Sequence, residues 1–210
     1  MTPPVLQIEH LHRRFGGREI LRGLSVTGWP GDRIAVLGAN GTGKTTLLRC
    51  IAGTVTPTDG TISIEGHPAG SFEARRSIGV SLSQERSFYM RLSGLANLRL
   101  FARLQGLSPQ RARSRVADVV AELQLAEIAA QRCDRCSTGQ LQQLSFARAL
   151  LGEPALLLLD EPTRSLDEAA NRRLWAALER RPLTCVICAT QVHDDLARLP
   201  THLVLGEAGK

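Results

Sequence analysis

Aromatic residues are scarce in this chain: five Phe, two Trp and one Tyr, 4 % of 210 positions. That leaves no evident platform for stacking nucleobases and argues against a nucleic-acid partner, despite a formal net charge of +6. The arginines are scattered, without the basic runs of roughly 5–8 residues that mark a nucleic-acid patch. Long apolar runs are missing too. None is longer than Ala155 to Leu159, far short of the ~18 residues of a membrane span. The opening residues, Met1 to Val5, lack the charged-then-apolar pattern of a secretory leader, so the expectation is a cytoplasmic protein. Lysine is almost absent. Of 26 basic residues only Lys44 and Lys210 are lysines, and a chain that writes Arg elsewhere keeps one internal Lys. What remains is ordinary: 43 % hydrophobic and 22 % charged residues, a globular balance that excludes a disordered scaffold.

Five cysteines occur, and two pairs, Cys133/Cys136 and Cys185/Cys188, read C-x-x-C. The pairs are about 48 residues apart, against roughly 15–20 in zinc-ribbon spacing. Cys185 to Cys188 also reads as a strand, where residues three apart face opposite sides. These positions, with Cys50, are expected to be apolar core thiols in a reducing compartment.

Strands and helices alternate. Val5–His10 and Ile20–Val26 read as an antiparallel pair, and Thr61–Glu65 alternates as a half-buried strand does. Arg33–Leu37, Ile78–Leu82, Ala155–Leu159 and Thr184–Ala189 are short apolar runs suited to a parallel sheet covered on both faces. Thr45–Ala52 and Glu168–Arg180 read as helices. From about 90 to 150 the pattern is helical throughout: Ser108-Pro109 is an N-cap followed by a first-turn Pro, and Val116, Val119, Val120 and Leu123 form an apolar stripe. The fold class is therefore α/β. It has a mostly parallel sheet, an N-terminal antiparallel subdomain and an inserted helical subdomain, and it makes one domain over 1–210.

The strand Arg33–Leu37 runs into Gly38-Ala39-Asn40-Gly41-Thr42-Gly43-Lys44-Thr45 and then a helix. This is G-x-x-x-x-G-K-[ST] in the strand–loop–helix setting it requires. Glycines let backbone amides wrap a phosphate as a nest at a helix N-terminus. Lys44 supplies a mobile cation for the terminal phosphates and Thr45 a hydroxyl for Mg²⁺. A second strand, Ala155–Leu159, ends in Asp160-Glu161. Successive residues point to opposite sides, so Asp160 is free to hold the metal shell while Glu161 polarises the attacking water. A third segment, Ser137-Thr138-Gly139-Gln140-Leu141, heads a helix expected to be amphipathic, with Leu141, Leu144 and Leu151 inward. Taken alone it is an ordinary helix cap. Taken with the phosphate loop it is a second anion site, which one phosphate does not need from one chain and which points to a second subunit.

Together these segments resemble the nucleotide-binding subunits of ABC transporters over nearly the whole chain. The resemblance implies a P-loop NTPase core and a Walker A loop at 38–45, with Thr46 following it in the site. It also implies a Walker B strand at 155–161, a signature at Ser137–Leu141 and a D-loop at Ser165-Leu166-Asp167. Phe15 matches the aromatic that stacks on adenine, and Gln84 matches the Q-loop glutamine, near the metal and the attacking water. ATP and Mg²⁺ are the implied ligands. Two such subunits, identical or different, are implied to pair head to tail around two ATP molecules. Each ATP contacts Gly38, Asn40, Gly41, Gly43, Lys44 and Thr45 of one chain and Ser137, Gly139, Gln140 and Asp167 of the other. Closure drives a transmembrane permease, which keeps the subunit peripheral on the inner face of the membrane.

Two positions depart from the family pattern. Thr138 replaces a Gly of the usual L-S-G-G-Q signature. Thr190 is followed by Gln191, where the family usually has a His that contacts the γ-phosphate. Gln191 can donate a hydrogen bond but cannot become a cation, so hydrolysis is expected to be slow but real. His193, two residues on, takes that place only if the loop shifts; its other reading is a surface residue near a helix start. The segment Glu85–Leu98 looks like the exporter version, and Phe88, Tyr89 and Met90 are candidates for the groove that receives a permease helix, for core packing, or for both in part. The resemblance thus implies an exporter ATPase. It leaves open the haem exporter ATPase of cytochrome c maturation, and a nucleotide-gated regulatory module with little hydrolysis. The stretch between Walker A and signature is too short for the coiled coils of chromosome-type cassettes.

Overall fold

The computed structural model describes residues 2–82 and 88–206. A four-stranded antiparallel sheet, in the order β2-β1-β4-β5, is built from β1 (Leu6–Phe15), β2 (Arg18–Gly28), β4 (Asp59–Ile64) and the short β5 (His67–Pro68). A five-stranded sheet has the order β6-β7-β8-β3-β9, with β3 at Arg33–Leu37, β6 at Ile78–Ser81, β7 at Leu156–Asp160, β8 at Cys185–Ala189 and β9 at Thr201–Val204. Its pairings are parallel. Helix α1 (Lys44–Ile51) follows β3. Helices α3 (Gly94–Leu104), α4 (Pro109–Glu122), α5 (Ala126–Ala130) and α6 (Thr138–Ala149) make the helical insert, and α7 (Glu168–Glu179) joins β7 to β8.

Alternation along the parallel strands divides the core into two layers. In β7, Leu157 and Leu159 pack with α3, α4, α6 and α7, while Leu156 and Leu158 pack with α1 and the antiparallel sheet. Both faces are covered, which is why β7 and β8 are buried at every residue. The same alternation splits the second cysteine pair: Cys188 lies in the helical layer and Cys185 in the other. Burial pushes the Cys185 thiol up to about 12 and the Cys50 thiol up to about 11, so both stay protonated and behave as small apolar groups. Cys133 is also fully buried, its sulfur accepting from Asn97 Nδ2 at 3.4 Å.

The α4 cap forms as its sequence predicts, Ser108 Oγ accepting from the Arg111 amide, and Val116, Val119 and Leu123 are buried. Helix α6 departs from expectation. Its first half is at most partly buried; from Leu144 to Ala149 every residue is buried, including Ser145 and Arg148. The helix lies between β6 and α3, so no side of its second half meets water. Ser145 shares a hydrogen bond with Ser81 (3.1 Å), and Arg148 donates to the Val80 carbonyl (3.2 Å). The guanidinium of Arg148 also lies over Phe88 and Phe101, at 5.4 and 5.1 Å from the ring centroids.

Close approach of β6 to α6 depends on Gly79, where a Cβ would press into the Ala149 carbonyl and lie 2.9 Å from Leu157 and Pro154 side-chain atoms. Gly79→Ala is expected to cost about 3 kcal/mol, at the upper end of overpacking penalties. For a chain of this size that lowers the melting temperature by roughly 6–12 °C, as thermal denaturation will show.

Candidate functional site

The phosphate loop leaves β3 at Leu37 and enters α1 at Lys44. Gly38, Gly41 and Gly43 hold φ values of 147°, 84° and 103°, the region that favours glycine. Two of them are also sterically required. A Cβ at Gly43 would lie 2.7 Å from Ile20 Cγ2, and one at Gly38 would lie 2.9 Å from the Leu205 carbonyl. A Cβ on Gly41 would meet nothing within 4 Å, so that position faces open space above the loop. Lys44 Nζ folds back over the loop and donates to the carbonyls of Gly38 (2.7 Å) and Ala39 (3.0 Å). The ammonium is thus held against the loop backbone. Thr46 is half-buried on the same turn of α1.

Thr45 Oγ1 donates to Asp160 Oδ2 at 2.8 Å. Asp160 is the last residue of β7 and 2 % exposed. It points to the α1 side, as Leu156 and Leu158 do. A hydroxyl and a carboxylate held together suit Mg²⁺, which prefers oxygen ligands and takes the rest of its shell from phosphate and water. Among the described residues there is no cluster of three or more His, Cys, Asp or Glu that could hold a metal. A metal completed by the nucleotide does not need one.

Glu161 leaves the strand in a left-handed conformation, φ 49°, which costs a non-glycine residue of order 1 kcal/mol or more. Its amide donates to the Ala189 carbonyl at 2.7 Å, tying it to the end of β8. Burial pushes the Glu161 carboxyl above the usual carboxylate range, with Asp160 adding to the rise. The Gln191 amide, Arg164 and Lys44 pull the other way. Gln191 bridges to the phosphate loop: its Nε2 donates to Gly38 O (3.3 Å) and Asn40 Oδ1 (3.2 Å). Thus Lys44, Thr45, Asn40, Asp160, Glu161 and Gln191 converge on one edge of the parallel sheet, at the C-terminal ends of β3, β7 and β8. That is where open α/β sheets bind ligands. His193 is exposed at the start of α8 (His193–Leu196), matching its surface reading. Gln84 lies outside the described residues.

The remaining predicted residues have local work of their own. Ser137 Oγ accepts from the Gln140 amide (3.2 Å) while Gln140 Oε1 accepts from the Ser137 amide (2.8 Å), a complete capping box on α6. Gly139 packs so tightly on the Ser165 carbonyl that no Cβ fits between them. Asp167 caps α7, accepting from the Ala170 amide at 2.7 Å. Phe15 ends β1 and is 45 % exposed, with the Arg13 guanidinium 4.1 Å from its ring centroid. Phe88, Tyr89 and Met90 divide between core packing and open surface. Phe88 is buried edge-on against Phe101, centroids 6.0 Å apart, while Tyr89 and Met90 face solvent.

Comparison with known proteins identifies the family. The ABC transporter family pattern matches residues 21–164. The chain is 32 % identical to the Nod factor export ATP-binding protein I of Cupriavidus metallidurans, over 98 % of this chain and 69 % of that protein. It is also 32 % identical to the spermidine/putrescine import ATP-binding protein PotA of Legionella pneumophila, over 86 % of this chain and 50 % of that one. It spans only 12 % of the mouse ATP-binding cassette sub-family A member 9, which it matches at 33 % identity. A solved dimeric ATP-binding cassette in a post-hydrolysis state, bound to ADP and Pi, superposes with a TM-score of 0.84 at 22 % identity. It covers 97 % of this chain and 95 % of that one, a likeness of fold. Among the described residues no helix is long and apolar enough to cross a membrane. The phosphate loop, the strand carrying Asp160-Glu161 and the family match together place this chain in the ABC transporter family, as an ATP-binding cassette.

Proposed function

We propose that this chain binds and hydrolyses ATP as one of two cassettes that close on two nucleotides and drive a membrane permease outward. The observation that carries this reading is the carboxylate pair at the end of β7. Asp160 is bound to Thr45 on one side of the strand, and Glu161 is tied to the neighbouring strand on the other. Lys44 and the loop amides bind the phosphates. Thr45 and Asp160 hold Mg²⁺, which when bound neutralises developing charge on the phosphates. Glu161 accepts a proton from the attacking water, a role its raised proton affinity suits. Gln191 stands beside the loop as a neutral donor to the γ-phosphate. Phe15 stacks on adenine, and Ser137, Gly139 and Asp167 serve the nucleotide of the partner cassette. The family resemblance supports Mg²⁺ and a second cassette in this reading.

Export rests on the exporter-like segment after residue 84 and on the Nod factor relative; the PotA relative is an importer. A groove of about 620 Å³ beside that segment is lined by Phe72, Arg75, Arg76, Phe101, Leu104 and Arg148 among others, none of them acidic. Phe72 and Leu104 are exposed, so the groove suits an apolar helix of the permease carrying an acidic residue. A second reading is a regulatory module with little turnover, and it is favoured by Gln191, which cannot carry the charge of the usual His. Turnover measured with and without the permease separates the two.

Glu161→Gln is expected to abolish turnover and trap an ATP-bound dimer, read by size-exclusion chromatography with ATP; a variant that stays monomeric with ATP sinks the paired reading. Gln191→His is expected to raise kcat. Losing a whole transition-state donor costs about 2.7–4 kcal/mol, and exchanging a neutral one for a cation recovers a fraction of that; a His variant no faster than the parent removes Gln191 from the reaction. The raised proton affinity of Glu161 also sets a sign. The folded state holds that proton to higher pH than the unfolded chain, so its stabilising contribution is present in acid and lost as pH rises through the folded-state value. Glu161→Gln should therefore melt higher than the parent at pH 7, with the gap closing toward pH 4. Calorimetry across that range checks it.

A further inference from the structure

One fully buried carboxylate has no part in the chemistry above. Asp195, in α8, is 0 % exposed. Its Oδ2 accepts from Thr163 Oγ1 at 2.6 Å and from Thr190 Oγ1 at 2.9 Å, and its Oδ1 accepts from Trp175 Nε1 at 3.2 Å. Thr190 Oγ1 in turn accepts from the Val192 amide at 3.0 Å. A charge taken out of water must recover its hydration from hydrogen bonds, and three side-chain donors supply them here.

The donors come from three segments. Thr163 lies two residues after Glu161, Thr190 immediately precedes Gln191, and Trp175 belongs to α7. The two strand ends already touch through the Glu161 amide and the Ala189 carbonyl. Asp195 adds a second, side-chain tie between the same two loops, from beneath the site. Glu161 sits in a strained φ, and such a conformation persists only where its surroundings over-determine it. We propose that Asp195 is a positioning residue for ATP hydrolysis: it locks the loop after β7 to the loop after β8, so that Glu161 and Gln191 address the same phosphate. The inference rests on the reading of Glu161 as the base. The tie itself does not depend on that reading.

Thr163→Val, Thr190→Val and Trp175→Phe each remove one hydrogen bond to Asp195 with little change of shape. Three quantities are read: kcat against KM for ATP, the melting temperature, and amide exchange at Glu161, whose N–H donates to the Ala189 carbonyl across the two loops. A misplacement of about 1 Å can cost on the order of 100-fold in rate. The two valine variants are expected to lose about tenfold or more in kcat with KM within about twofold, and to exchange the Glu161 amide about tenfold faster. Trp175→Phe loses its bond on the α7 side, so it should keep kcat within about twofold even where its melting temperature falls as far. Thr163→Ser and Thr190→Ser, which keep the hydroxyl, should restore kcat. If a valine variant fails to fold, Asp195→Asn replaces it: the amide offers one acceptor oxygen where the carboxylate offers two, and a neutral one, so kcat should fall at least about threefold at unchanged KM. Wild-type kcat and Glu161 amide exchange in the valine variants, or in Asp195→Asn where it stands in for them, overturns the proposal. So does an equal loss of kcat in Trp175→Phe. A parent chain that hydrolyses no ATP overturns the function proposed above, while Glu161 amide exchange still decides whether Asp195 locks the two loops.

Discussion

The hydroxyl of Thr45 and the carboxylate of Asp160, 2.8 Å apart, join the first turn of α1 to the end of β7, and the rest of the site is arranged around that joint. It exists because of strand alternation. Residues 156, 158 and 160 face the layer that contains α1, and residues 157 and 159 face the helical insert. Any shift of β7 by one residue would turn Asp160 toward the helices and leave a carboxylate in an apolar layer. The register with β8, fixed over the whole of β7, and with β6 from Leu156 to Leu159, is therefore what holds the acid opposite the phosphate loop.

Strain and desolvation gather at this edge. The left-handed glycines at 38, 41 and 43, the positive φ of Glu161 and its elevated proton affinity all lie within the loops after β3 and β7. Such features are costly, and they concentrate where geometry serves chemistry. The motif residues Ser137, Gly139, Gln140 and Asp167 stabilise helix starts and a close packing within the chain itself. A role across a pair of cassettes would come in addition to that work. The capping box leaves the positive end of α6 at the surface, where a second chain's phosphate could meet it.

The longer elements were legible because each carries a period. The buried runs at 33–37, 78–82, 155–159 and 184–189 all became parallel strands, and the 116–123 stripe became the inner face of α4. The short ones were not. Strand β9 is a sheet edge with Thr201, His202 and Val204 exposed, so it shows no apolar run. Strand β5 has two residues, and α2 (Phe72–Ser77) and α8 have six and four, below the length at which a period can be read. Helix α6 misled in the other direction: its spacing suggested one apolar face, but burial on all sides let Ser145 and Arg148 find partners inside.

What the sequence determined by itself was the local chemistry. Loop glycines, one lysine, paired acids after a strand and a Ser-x-x-Gln cap act over a few residues, so their order along the chain is enough to state them. Tertiary structure alone decided which of them meet. Gln191 reaches Gly38 and Asn40 across about 150 residues of chain, and Asp195 draws Thr163, Thr190 and Trp175 to one buried point. Those contacts are set by which strands lie side by side at one edge of the sheet, a relation that no short window of sequence contains.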